Sequence, residues 1–179
     1  MTKESSIEVG EVEGSQWVRV HGKGNFVSSP GLKECVEKRL GTNGWDGKPT
    51  VVVDLDECPA MDSTFMGTLA GLALQLSEQE GRLAVVGLSE RNRDSLSDLG
   101  LDALLDLEDE DGGSDWDGRL GEIRSGLQQW DGRNKTAAAA EEVLEAHRKL
   151  CDVDDRNVKK FGAVLDVLER ECEAKGPNS

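Results

Sequence analysis

The residues best placed to do chemistry are Asp62, Ser63 and Thr64, in the stretch TVVVDLDECPAMDSTFMGTLAG over residues 50–71. A serine hydroxyl beside a carboxylate offers three chemistries: nucleophile, phosphate acceptor or helix cap. Nucleophilic activation needs a base, usually His, oriented by a third group. The chain has two histidines. His21 ends a strand beside glycines, and His147 lies on the apolar edge of a distant helix, the ordinary place for a packed core histidine. Only one link of a catalytic relay is therefore visible, and no catalytic residue is assigned. Phosphorylation would add about −1.5 to −2 of charge on a helix N-terminus that welcomes an anion, next to an Asp62 carboxylate that repels it. As a cap, Ser63 or Asp62 would accept a hydrogen bond from a first-turn amide.

Other sites fail on spacing. Cys35, Cys58, Cys151 and Cys172 contain no CxxC, and with two histidines they make no zinc frame. This usage fits free, mostly buried thiols in a reducing cytoplasm, with Cys58, beside Pro59, the most open to partial exposure. HGKGN over residues 21–25 lacks both GxGxxG and GxxxxGK[ST]. No cofactor or metal is expected.

The elements that position Ser63 are legible. The β-branched run Val51, Val52, Val53, Asp54, Leu55 reads as a strand buried on both faces. Pro59 ends it, and Met66, Leu69, Ala70, Leu72, Ala73 and Leu76 form the apolar face of the following helix. Residues 6–9 and 15–21 read as two antiparallel strands, and a helix with Pro30 in its first turn follows from about Ser28. Beyond the central unit come a strand over 83–86, a short helix over 92–99 closed by Gly100, and a final short strand within 101–107. The order β-β-α-β-α-β-α-β predicts an α/β fold, one mixed sheet with right-handed crossovers between its parallel strands.

Composition limits the partners. The formal charge is −15 with 36% hydrophobic residues, which argues against nucleic acid and for a protein partner with a basic surface. Residues 101–118 carry eight Asp/Glu and no Lys or Arg. Within them, residues 106–117 read as a solvated acidic linker, since no Asp-x-Asp-x-Asp-Gly frame places a Glu at the twelfth position of a calcium loop. No apolar run approaches the roughly 20 residues of a membrane span, so no membrane is expected.

Past the linker, Trp116, Leu120, Ile123, Leu127 and Trp130 recur at helical spacing. A helix from Asn134 carries Val143, Leu144, His147, Leu150 and Cys151 on one edge. After the CDVDD turn, capped by Asp152 or Asp154, another carries Val158, Phe161, Leu165, Leu168 and Cys172. Each edge has to be buried by its neighbour, by the sheet domain, or by a second chain as a homo-oligomer.

The segments WVRVHGKGN, VVVDLDECPAMDSTFMG and VVGLSERNRDSLSDLGLDALLDL together resemble the STAS domain of anti-sigma factor antagonists over residues 5–110. The resemblance implies a STAS-like mixed sheet with helices mainly on one face over residues 1–110, leaving 111–118 as the acidic linker and 119–179 as a helical extension with a hairpin. Its most specific part is the family's Asp-Ser-x-Gly-Leu-Gly turn, here Asp62-Ser63-Thr64-Phe65-Met66-Gly67. It implies that Ser63 is phosphorylated by an anti-sigma factor that is itself a serine kinase, and that the unmodified form binds this kinase through Asp62, Ser63, Thr64, Phe65 and Met66, freeing the sigma factor. On this reading the chain is a non-enzymatic, cytoplasmic regulator of transcription. The other reading is a non-switching scaffold or oligomerisation module in which Ser63 is only a helix cap. Phe65 departs from the family, which usually has Gly or another small residue there, and a ring beside the acceptor is expected to reshape the docking surface.

Overall fold

The computed structural model describes residues 5–42, 45, 47–108, 116, 118–132 and 137–175. Strands β1 (Ser6–Val12) and β2 (Ser15–His21) form an antiparallel hairpin, and α1 (Ser29–Leu40) follows. Then come β3 (Thr50–Asp54), α2 (Ser63–Glu78), β4 (Arg82–Val86), α3 (Glu90–Asp98), a 3-10 turn (Leu101–Ala103) and β5 (Asp106–Leu107). Strands β2, β3, β4 and β5 are parallel neighbours. This is the expected order of elements.

Residues 116–130 depart from expectation. Instead of one continuous helix they form a short α4 (Leu120–Ser125) and then β6 (Gln128–Gln129), which pairs antiparallel with β1. Gly126 ends the helix, and the chain then closes an open sheet edge, giving the order β5-β4-β3-β2-β1-β6.

The alternation of β3 explains both faces. Val51 and Val53 pack with Val18, Val20, Leu83 and Val85 under α1 and α2 in the main core. Val52 points the other way, joining Trp17, Ala84 and Val86 beneath Trp116 and Ile123. The Trp17 and Trp116 rings meet edge-on at 5.3 Å. Arg124 of α4 reaches from this face to the fully buried Asp54, at 2.7 and 3.1 Å.

The last two helices are α5 (Ala140–Val153) and α6 (Arg156–Lys175), folded back on each other across Asp154 and Asp155. The expected start at Asn134 lies outside the described residues, but Ala137–139 is not helical and α5 begins at Ala140. Asp154 makes the turn, its carboxylate accepting the Arg156 N–H at 2.9 Å. The hairpin rests on its own sheet domain. Leu150 enters the main core, and the fully buried Asn157 donates to the carbonyls of Leu99 and Leu150 at 2.9 and 2.8 Å.

The thiols differ in setting. Cys35 is buried, its thiol donating to the Leu32 carbonyl, and desolvation pushes its pKa up to about 12. Cys58 is packed in the core despite its place beside Pro59, and burial raises its pKa too. Cys151 and Cys172 are half-buried. Desolvation raises the Cys151 pKa as well, so access separates the thiols: N-ethylmaleimide should modify Cys151 and Cys172 of the native protein and spare Cys35 and Cys58. Comparable adduct at Cys35 by peptide mass mapping would contradict this burial.

Candidate functional site

Asp62 builds the turn at the head of α2. Its N–H donates to the Gly24 carbonyl at 2.8 Å, pinning the loop after β2 against the loop after β3. One carboxylate oxygen accepts the Phe65 N–H at 2.8 Å, a regular N-cap, and the other accepts the Phe26 N–H at 3.1 Å. The scaffold reading needed Ser63 as the cap. Asp62 does that work instead, one residue outside the helix, where a side chain can reach back to the N3 amide.

Ser63, the first residue of α2, sends its hydroxyl elsewhere. Its Oγ lies 2.8 Å from Nε2 of His147, on α5, and Nδ1 of His147 lies 2.7 Å from the Val143 carbonyl. A carbonyl only accepts, so Nδ1 carries hydrogen, and in the neutral ring Nε2 accepts the Ser63 O–H. His147 is buried, with Phe161 of α6 edge-on to it at 5.2 Å.

The remaining residues of the turn face inward. Phe65 is fully buried, with its ring lying flat against Gly24, where a Cβ would stand 2.8 Å from it. The ring therefore belongs to the core and does not reshape the surface. Thr64 and Met66 are buried as well. Of the five residues expected to meet a partner, only Asp62 and Ser63 are partly exposed. Phe26, half-exposed and held by Asp62, is the apolar group at the rim of this turn.

A serine hydrogen-bonded to a histidine has two of the three parts of a nucleophilic relay, here with a backbone carbonyl in the third place. Beside it lies a cavity of about 60 Å³ lined by Lys33, Thr64, Thr68, Gln75, Glu142 and Lys149. The arrangement ties the hydroxyl down rather than presenting it.

The bond from Ser63 to His147 was hidden from sequence reasoning, because an amphipathic helix does not say which polar atom its apolar edge will cover, although the burial of His147 itself was expected. Its place in the stripe with Leu144 and Leu150 was the available signal. Gly67 is the second missed residue: the Ala146 backbone of α5 packs directly on it.

Among the described residues no group of three or more His, Cys, Asp or Glu is placed to hold a metal. Most of the acidic run lies outside them. Among the described residues, too, no helix is long and apolar enough to cross a membrane.

The family model of the STAS domain matches residues 6–110, from β1 through the end of β5. The chain belongs to the STAS family. Solved structures share the fold at low identity. The candidate anti-sigma factor antagonist TM1081 from Thermotoga maritima superposes with a TM-score of 0.50 at 17% identity, over 66% of this chain and 92% of that one. The anti-sigma factor antagonist SpoIIAA in its unphosphorylated form gives a TM-score of 0.50 at 13% identity, over 66% of this chain and 98% of its own. No curated protein sequence matches significantly. The STAS match ends before α4, so the back-face helix, β6 and the α5–α6 hairpin are additions to the domain.

Proposed function

We propose that this STAS protein is a phosphorylation-controlled protein–protein switch of the anti-sigma factor antagonist type, acting in the cytoplasm without catalysis of its own. Ser63 is the phosphoacceptor. Its unmodified form binds an anti-sigma factor with serine kinase activity through the head of α2, with Asp62 and Phe26 at the surface. One observation carries the reading: Ser63 opens α2 while Asp62 does the capping, so the hydroxyl has no part in holding the helix. A phosphate there would sit at the positive end of the helix dipole and leave α2 and the sheet intact. It would also place a second anionic group beside Asp62 on the docking face.

With ATP and the cognate kinase, intact mass should show one phosphate on the wild type and none on Ser63→Ala. Ser63→Asp should keep its circular dichroism spectrum while losing at least about tenfold in partner affinity, roughly 1.4 kcal/mol. Equal phosphate on wild type and Ser63→Ala would move the acceptor elsewhere.

A further inference from the structure

We infer that the α5–α6 hairpin is a built-in cover for the Ser63 site, so that the chain has a closed form, with Ser63 sequestered, and an open form that can be modified or bound. The inference rests on Ser63 being the functional residue. The cover is seated at three points. Ser63 Oγ is bonded to His147 at 2.8 Å, so a phosphoryl group on that oxygen cannot coexist with this histidine position. Four residues along α2, the Gly67 backbone receives the backbone of Ala146: a Cβ there would collide with the Ala146 carbonyl oxygen and lie 2.6 Å from its carbon and 2.9 Å from its Cα. One turn further, a Cβ at Gly71 would stand in ordinary contact with the Lys149 stem, 3.4 Å from its Cγ. The absence of a side chain at Gly67 thus lets α5 approach α2 backbone to backbone.

The far end of the hairpin is tied separately to the sheet domain. Asn157 holds the Leu99 carbonyl, and Lys160 donates to the Asp98 carbonyl at 2.7 Å. The cover and an external partner compete for the same face of α2. A ligand that prefers the open form shifts the population toward it, and the closed fraction lowers apparent partner affinity in proportion.

Gly67 allows a test that leaves Ser63 and the hairpin sequence untouched. Gly67→Ala raises the helix propensity of α2 yet forbids the seating of Ala146. In full-length Ser63→Cys protein, the rate of N-ethylmaleimide addition at residue 63 is read by peptide mass mapping, with and without Gly67→Ala. Hydrogen exchange of residues 140–153 is followed in the same samples. Opening should raise labelling at least tenfold and speed exchange in α5, while the amides of β3 and β4 stay protected. Leu144→Asp, on the hairpin side, gives the same readout should Gly67→Ala perturb α2 itself. Unchanged labelling and unchanged α5 exchange in folded variants would overturn the cover. Labelling reports access to position 63 whatever that residue does, so an open protein whose Ser63 takes no phosphate would remove the phosphoacceptor reading alone. Phosphate entering wild type as fast as Gly67→Ala would remove the cover alone.

Discussion

Arg124→Leu should cost about 3 kcal/mol of stability, although α4 lies outside the STAS match and its arginine is not in the main core. The reason is what it leaves behind. Asp54 is fully buried at the end of β3, and Arg124 supplies both its close guanidinium contacts. Without that partner the carboxylate keeps a long contact to Arg19 at 3.7 Å and the Asp56 N–H at 3.1 Å. These hold the expected loss to the low end of the range for an orphaned buried charge. Urea unfolding should show the loss as a lower midpoint at unchanged slope, and a melting temperature lower by roughly 6–12 °C for a chain of this size. Asp54→Val combined with Arg124→Leu should recover part of it, because no buried carboxylate then remains. A loss under about 1 kcal/mol for Arg124→Leu would show that Arg19 alone neutralises Asp54.

That ion pair also marks where sequence reading stopped. The strands and helices through Leu107 were legible because each carried its own period. Val51–Val53 had no polar position to spare, and α2 kept one apolar face over four turns. Asp54 was read as one more residue of a buried strand, since nothing local shows that an arginine seventy residues on will meet it. Residues 116–130 misled for a related reason. Trp116, Leu120, Ile123 and Leu127 satisfy helical spacing, yet the outer two pack against the back of the sheet from turns. Only the β1 edge explains why Gln128 and Gln129 extend into a strand. Ser63 was legible as a serine at a helix head, and the division of labour with Asp62 was left open between the two. The bond to His147 joins residues 84 apart and depends on the hairpin's docking, which no local pattern encodes. The amphipathic edges of α5 and α6 required a partner surface without naming it.

The largest single effect expected in the STAS unit comes from making it look more like its family. Phe65→Ala restores a small residue at the second position after the serine, where the family usually carries one. It should nonetheless lower stability by about 3–5 kcal/mol. The ring is fully buried and packs in the main core with Leu69 and Leu32. It also supports the loop before α1, because Gly24 lies flat on its face, and Gly24 in turn accepts the Asp62 N–H and bridges Met61. Truncation therefore leaves a cavity beneath the turn that aims Ser63, and neighbouring backbone is too constrained by Asp62 to collapse into it fully. Gly24→Ala probes the same contact from the other side: its new Cβ would press into the ring at 2.8–2.9 Å, and one of the two has to move. Each substitution should lower the melting temperature, Phe65→Ala the more. Phe65→Leu, which keeps most of the apolar volume, should recover more than half of the loss. Thermal unfolding followed by circular dichroism decides it. A Phe65→Ala protein as stable as wild type would mean that the ring is not part of the core, and would return Phe65 to the docking surface.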